Sequence, residues 1–577
     1  MTKKILKYHL WGTILFLCVL AGSAGCQDLN TGIQAYEKGD YDQAIQLIQQ
    51  YLQQKPADEQ AYYYLGNCYF KKGEWDQAIE QYKKALGVKP KYWEAQYQLG
   101  YAYFQKGMND EAESVFKAGM RTKEKGEFYN GLGLVEMSKG MFKEADFSFR
   151  KAISFDEKRA EFHKHLGDAN FNKGVLVIAI QEYQTALGLD SSMVDIHINL
   201  AKAYLQQARF NDAMEEFKTV IREDPKNKEA YLALGDIYML DAKHYPEARV
   251  VYEEYLKFDQ QNGKVFFNLG ISYYYLSRML PSLVVDGDTL TKSGMLNRVI
   301  QNMERAISMN VENPEKYLYL GKANLDLKES SKALQAFEQY EKILTEQSHE
   351  WTKKDADYWE SKGQAQADIG DSASLVGAIA SLNKAIQLDS SKTTAYSTLG
   401  KALFDQGKYQ DAIPFFQKRI EADSNNVSAY INLAFSYIKL EKYRDAIGPL
   451  TKVAQLKPDN AAVWDRLASV YFNLNDYDKA KDAYVEELKL DPSKCEINKN
   501  VGYCFLQMKN PAGAVSYLRK AVGCFSKDIN SLLMLAQALE TSKNTDEAYQ
   551  YYLKVLEIDP KNQPARDGRD RIDMQKF

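Results

Sequence analysis

His163 and His165 stand two residues apart in a chain of 577 residues that holds six histidines in all. Metal ligation from one helix face needs ligands three or four residues apart, because only those spacings bring side chains to the same side. His9, His163, His165, His197, His244 and His349 include no H-E-x-x-H pair, so a surface or groove role is expected for His163 and His165. Asp286-Gly287-Asp288 has two oxygen ligands of a calcium loop but lacks the alternating series and closing glutamate that such a loop requires. It reads as a solvated turn. There is no glycine-rich phosphate loop and no nucleophile elbow, and the segments outside the repeats described below are too short to carry a catalytic domain. The sequence therefore indicates no catalytic residue, no metal and no cofactor, and the expectation is a protein that is not an enzyme.

Five cysteines bear on chemistry. Cys68 and Cys504 fall where a small buried residue is expected, so they read as inert packed thiols. A disulfide framework is not expected at this cysteine density, with a Cys495–Cys524 bridge left open. Cys26 is different. It follows Lys3, Lys4 and Lys7, an apolar run from Leu10 to Leu20, and the small residues Ala21-Gly22-Ser23-Ala24-Gly25. That is the order of a secretory signal. Small residues ending at a cysteine resemble a bacterial lipoprotein signal, with Ser23 where a leucine is usual. The resemblance implies removal of residues 1–25, lipid on Cys26 and a chain anchored by its acyl groups in the cell envelope, on an outer membrane facing periplasm or cell surface. Ordinary cleavage with a free Cys26, giving a soluble periplasmic chain, and an uncleaved anchor over Tyr8 to Gly25 are the alternatives. The formal net charge of −4 carries no electrostatic footprint for nucleic acid.

What positions these residues is a repeat. Ala44, Ala78 and Ala112 lie at steps of 34, and Ala378, Ala412, Ala446, Ala480, Ala514 and Ala548 keep the same step. A fixed period of this length over most of a chain marks stacked helical units rather than separate globular domains. In residues 59–92, Tyr62, Leu65, Gly66, Tyr69, Ala78, Ile79, Tyr82, Ala85 and Leu86 recur at helical spacing, Gly73 marks a turn and Pro90 an end. Gly66 and Ala78 are expected where two helices cross, with large aromatic rings filling the flanks.

The order of large residue, Leu, Gly, Tyr, Ala, aromatic, Ala and Pro resembles the tetratricopeptide repeat. It recurs at Tyr231, Leu234, Gly235, Tyr238, Ala248 and Tyr252, and again at Trp464, Leu467, Ala468, Tyr471, Ala480, Tyr484 and Pro492. The resemblance implies an all-α, right-handed α-solenoid of about fifteen helix-turn-helix repeats. Two excesses over the period divide the reading: an N-terminal array at 26–276, an insertion at 277–295, a C-terminal array at 296–562 and a polar closing helix at 563–577. A second lengthening is expected near Thr345 to Asp355.

In such arrays the first helix of each repeat lines the concave side, and its fifth, ninth and twelfth residues face the groove. Carried onto this chain, the resemblance selects Tyr63, Asn67, Phe70, Tyr97, Tyr101 and Phe104, an aromatic strip suited to an extended peptide or an apolar helix. A carboxylate clamp is approached only in part, by Lys401, Asn432 and Arg466, with Ser397 and Ala462 at its other lysine positions. The implied function is a non-catalytic scaffold of the bacterial envelope that binds peptide or protein partners, in assembly or export of envelope components. A soluble peptide-binding adaptor and an accessory subunit of an envelope enzyme or secretion complex are the alternatives.

Overall fold

The computed structural model describes residues 28–240, 244–285, 287–347 and 355–575. The lipoprotein-like segment with Cys26, Asp286, and most of the lengthened loop before Asp355 lie outside the described residues. Among the described residues there are 31 helices in tandem pairs, and none is long and apolar enough to cross a membrane. The pairs number fifteen, from Leu29–Glu37 with Tyr41–Gln54 to Ile529–Thr541 with Thr545–Ile558, and a last helix, Gln563–Gln575, follows them.

One pair explains the rest. Asp58 caps the helix Glu59–Lys71 by accepting from the Ala61 amide, which satisfies one of the free N–H groups at a helix start. The helix stops at Gly73, whose φ of +76° lies in the left-handed region. The Glu74 amide then bonds back to the Tyr69 carbonyl at 2.9 Å, a closure that uses carbonyls the helix leaves open. Trp75–Val88 runs back along it. At the crossing, a Cβ on Gly66 would sit 2.6 Å from Cε1 of Tyr82, so any side chain there would force the ring to shift. The same fit joins Gly100 to Phe116, Gly133 to Phe149, Gly167 to Tyr183, Gly321 to Phe337 and Gly400 to Phe416. Ala78, Ala112, Ala145 and Ala179 are wholly buried, and each keeps the two backbones close enough for these rings to fill the gap.

The chain divides into two compact units, Met1–Gln260 and Gln261–Phe577. The first holds seven helix pairs and the second eight with the final helix. In each unit every helix packs on its neighbours in sequence. The more extensive contacts that skip a helix run between first helices, such as Trp93–Gln105 with Gly126–Ser138, or Ala356–Ile369 with Thr393–Asp405. First helices that approach one another more closely than second helices make a row that bends toward the first helices. Those helices therefore line the concave side of each unit.

The insertion at 277–295 takes a form the sequence reading did not foresee. Gly263–Met279 and Lys292–Ser308 are 17-residue helices, and the segment between them is an antiparallel hairpin of Ser282–Val285 with Asp288–Thr291. The helical pair is thus lengthened and crowned rather than broken. Gly287, with φ +89°, supplies the left-handed turn residue. The hairpin is the one sheet among the described residues and forms no core.

Candidate functional site

The concave aromatic strip is built on Glu59–Lys71 and Trp93–Gln105. Residues four and three apart share a helix face, so Tyr63 and Phe70 project from one side of the first helix, and Tyr97, Tyr101 and Phe104 from one side of the second. The structure brings them together. The Tyr101 ring stacks on Tyr97 at 6.1 Å and 9°, on Phe104 at 6.1 Å and 22°, and on Phe70 at 5.5 Å and 27°. Tyr63 meets Tyr64 at 5.4 Å and Tyr92 at 5.3 Å. Burial pushes the Tyr97 and Tyr101 hydroxyls up from the ordinary phenol range, so both stay neutral donors. Tyr97 also packs against Phe116 and Phe128 at 6.0 and 6.1 Å, which makes it partly a core residue.

Asn67, selected with this strip, touches Tyr63 of the strip and also serves the interior. It is 8% exposed, and its side-chain oxygen accepts from the Tyr82 hydroxyl at 2.8 Å. The cause is the ring in the second helix. A buried tyrosine needs an acceptor for its hydroxyl, and the nearest position is the ninth residue of its own repeat. Tyr183 likewise donates to Asp168 at 2.7 Å, and Tyr252 to Asp236 at 3.0 Å. Where the ring is phenylalanine, no acceptor is required. Phe116, Phe149, Phe337 and Phe416 leave Tyr101, Leu134, Lys322 and Lys401 available to the groove.

Beyond the strip, the first unit's concave side becomes charged and self-paired. Lys164 pairs with Asp195, and Lys202 with Glu229 at 2.5 Å. Asp168 also accepts from Asn199 at 3.0 Å, and burial raises its carboxyl above the ordinary range. Of the two histidines expected on a surface or in the groove, His163 belongs to the interior and His165 is half-buried. His163 is 8% exposed and bonded to Glu182 and to the Glu157 carbonyl. His165 meets Asn130 at 2.8 Å, and burial lowers its pKa to about 3, so it is neutral.

Lys401, Asn432 and Arg466 stand on three successive first helices, Thr393–Asp405, Val427–Lys439 and Ala461–Asn473. The side chains of Lys401 and Asn432 enter no hydrogen bond or ion pair among the described residues, and the Arg466 guanidinium lies 5.7 Å above the Phe435 ring. Lys401 and Arg466 are exposed. Residues the sequence reading passed over include Tyr36, T-shaped to Tyr64 at 5.7 Å, and Trp93, with Lys123 and Lys125 at 5.2 and 5.3 Å from its ring. Tyr36 is the twelfth residue of the first repeat, so the spacing that selected Phe70 and Phe104 could have found it.

Cys68 and Cys504 are buried free thiols, pushed by burial to about 12 and about 11, which removes the thiolate needed for reactivity. Cys495 and Cys524 form a disulfide between the two helices of one pair, with Cα atoms 6.1 Å apart.

Family models agree with this geometry. Tetratricopeptide repeat models match residues 35–81, 179–234 and 205–269, 94–125, 126–159 and 529–562, and 461–494. A TPR repeat model matches 66–107, and the tetratricopeptide repeat protein 21 C-terminal ARM domain matches 289–469. No curated protein matches the chain. Among solved structures, a thermophilic TPR protein of Thermus thermophilus is 27% identical, covering 31% of this chain and 97% of its own at a TM-score of 0.28. YrrB, a TPR protein with an unusual peptide-binding site, is 24% identical over 32% of this chain and 96% of its own, at 0.27. PilW, a type IV pilus biogenesis factor, is 18% identical over 36% of this chain and 96% of its own, at 0.34.

Proposed function

Because this chain is a tandem array of tetratricopeptide repeats, we propose that it is a non-catalytic scaffold of the bacterial cell envelope, tethered by lipid on Cys26. It holds peptide or protein partners in its concave groove. The observation that carries this reading is the stacked run Phe70, Tyr101, Tyr97 and Phe104 on the first helices of two adjacent repeats. Stacked rings are rigid and apolar with a polar rim, so they offer contact area at little entropy cost. Tyr63 extends the strip toward the first repeat, and Lys401, Asn432 and Arg466 supply polar contacts in the second unit. The Cys495–Cys524 disulfide supports an oxidising compartment outside the cytosol, which agrees with an export signal ending at Cys26.

Fractionation joined to cross-linking tests the reading. In the native cell, the wild-type chain belongs in the membrane fraction with acyl label, and Cys26→Ser moves it to the soluble fraction. Cross-links to envelope proteins should map to the first helices. A chain that stays membrane-bound without acyl label, or cross-links confined to second helices, would remove the support for this function.

A further inference from the structure

The His163 imidazole is held at both of its ring nitrogens. Nδ1 lies 2.7 Å from a carboxylate oxygen of Glu182, and Nε2 lies 2.9 Å from the carbonyl oxygen of Glu157. Both partners are acceptors. A neutral imidazole has one N–H and one lone pair, so it can donate to only one of them and turns its lone pair on the other. With the proton on Nδ1 the Glu157 carbonyl faces that lone pair; with the proton on Nε2 the Glu182 carboxylate does. Both contacts are satisfied only when the pair carries one further proton, as imidazolium with carboxylate or with that proton passed to Glu182. The ring is buried, which leaves bulk water little access to make good the deficit.

The next repeat has the same pairing with a difference. His197 and Glu216 occupy the equivalent positions, and Nδ1 of His197 lies 2.5 Å from the Glu216 carboxylate. Among the described residues its Nε2 makes no hydrogen bond, so the neutral tautomer with the proton on Nδ1 is sufficient there. The second contact of His163 sets it apart. Glu157 belongs to the loop between Phe142–Ile153 and Ala160–Asn172, His163 to the latter helix and Glu182 to Leu176–Leu189. One ring thus ties the loop that joins the fourth and fifth repeats to both helices of the fifth. The charges around this joint are engaged with one another. Arg150, on the helix before the loop, is bonded to Asp146 at 2.9 Å and also acts on Glu182, and Lys173 stands 3.4 Å from Asp146. Arg159 of the loop is paired with Glu127 at 3.2 Å, and Lys164 pairs with Asp195 on the concave face.

We propose that the joint between the fourth and fifth repeats is a proton-dependent hinge, closed by a doubly donating His163 between Glu157 and Glu182 and released when that proton is lost. The sign follows from proton counts. The closed joint holds one proton more than an opened one whose histidine is neutral in water. Rising pH therefore favours opening, above the range where a free imidazole loses its proton, about pH 6.5. Release frees the loop carbonyl while the helices of the fifth repeat stay crossed, since Gly167 still admits the Tyr183 ring. The aromatic strip lies before this joint, and the charged stretch at Lys164 and Lys202 lies after it. The hinge sets how the two face one another, whichever partner the groove holds.

The test uses the full-length chain, isotope-labelled at its histidines for nuclear magnetic resonance and followed separately by hydrogen exchange. His163 should keep protons on both ring nitrogens to higher pH than His197 does. Exchange of the amides in residues 154–163, corrected for the intrinsic effect of pH, should accelerate about threefold or more between pH 6 and 8, within the limit of tenfold per pH unit for release of one proton. The matching residues 188–197, before and including His197, should change by less than about twofold. Glu182→Gln places an amide that can donate to Nδ1, so a neutral imidazole satisfies both contacts, and this variant should lose most of the acceleration with helicity unchanged. The wild-type readings decide alone if it does not fold. Wild-type exchange at 154–163 that stays within about twofold across this range, equal acceleration at 188–197, a His163 that loses its second ring proton together with His197, or a folded Glu182→Gln with the wild-type pH dependence overturns the hinge.

Discussion

The Tyr82 hydroxyl donates to the Asn67 side-chain oxygen across 2.8 Å, joining the second helix of one repeat to a position that the repeat frame assigns to its groove. This bond engages the ninth residue of that repeat in the interior. It also gives a direct energetic test. Tyr82→Phe should destabilise the first unit by about 1–2 kcal/mol, because Asn67 is left buried with an unmet acceptor. Adding Asn67→Leu should recover most of the loss, since removing both partners leaves no orphan. Denaturant melts of the two single variants and the double variant read the coupling; additive losses would contradict it.

The repeat register predicts which deletions the chain accepts. Val427–Lys439 and Tyr443–Leu456 form one pair, so removing residues 427–460 takes out a whole unit and should leave the flanking repeats stacked. Removing residues 444–460 leaves the helix Val427–Lys439 without its partner and should lower helicity and melting temperature well beyond the loss of length. Circular dichroism distinguishes the outcomes, and equal damage from both deletions would refute the register.

Arg571 on the final helix makes two hydrogen bonds to Glu540, each 3.0 Å, and Tyr552 donates to the same carboxylate at 2.5 Å. The Arg571 bond, the largest cause, holds the Glu540 carboxyl below its ordinary value. A carboxyl whose folded pKa is depressed contributes stability above its unfolded value, and that contribution is lost as pH falls through the folded one. Docking of Gln563–Gln575 should therefore loosen on acidification below about pH 4.3. The pair is partly exposed, so its contribution is about 0.5 kcal/mol. Hydrogen exchange in the last helix, compared between wild type and Arg571→Gln, should show an acid-dependent difference that closes at low pH. Identical profiles at all pH values would show that the pair contributes nothing.

The Cys495–Cys524 bridge closes a loop with a sequence separation of 29, which corresponds to roughly 3–4 kcal/mol of unfolded-state restriction. Reduction, or Cys495→Ser with Cys524→Ser, should lower the stability of the repeats around it while leaving the first unit unchanged. Mass spectrometry of the chain taken from cells under thiol-blocking conditions should find the two cysteines joined. Two alkylated thiols would count against an oxidising compartment.

The repeat and its crossings were legible because packing imposes them locally. Gly66 must be small where Tyr82 crosses, and the same demand returns in repeat after repeat, so spacing alone revealed the helices, the turn at Gly73 and the buried Cys68 and Cys504. The inward bond of Asn67 was not legible, because the frame gives direction but not hydrogen-bond demand: the Tyr82 hydroxyl engages the ninth residue of its repeat, whereas Phe116 makes no such demand on Tyr101. The hairpin at Ser282–Val285 and Asp288–Thr291 was hidden for another reason. It extends a helix pair at one turn only, where no periodicity signals it.

The central claim is that partners dock on the concave aromatic strip of the first unit, and site-specific photo-cross-linking tests it most directly. A photoreactive phenylalanine analogue is placed at Tyr101, at Phe104 and, for comparison, at Phe147, a second-helix residue that is 70% exposed. The chain is irradiated in the native cell and its adducts identified by mass spectrometry. The account predicts that positions 101 and 104 yield the same partner and that Tyr63→Ala reduces that adduct severalfold, whereas position 147 does not yield it. Adducts of that partner from position 147 and none from positions 101 and 104 would contradict the account.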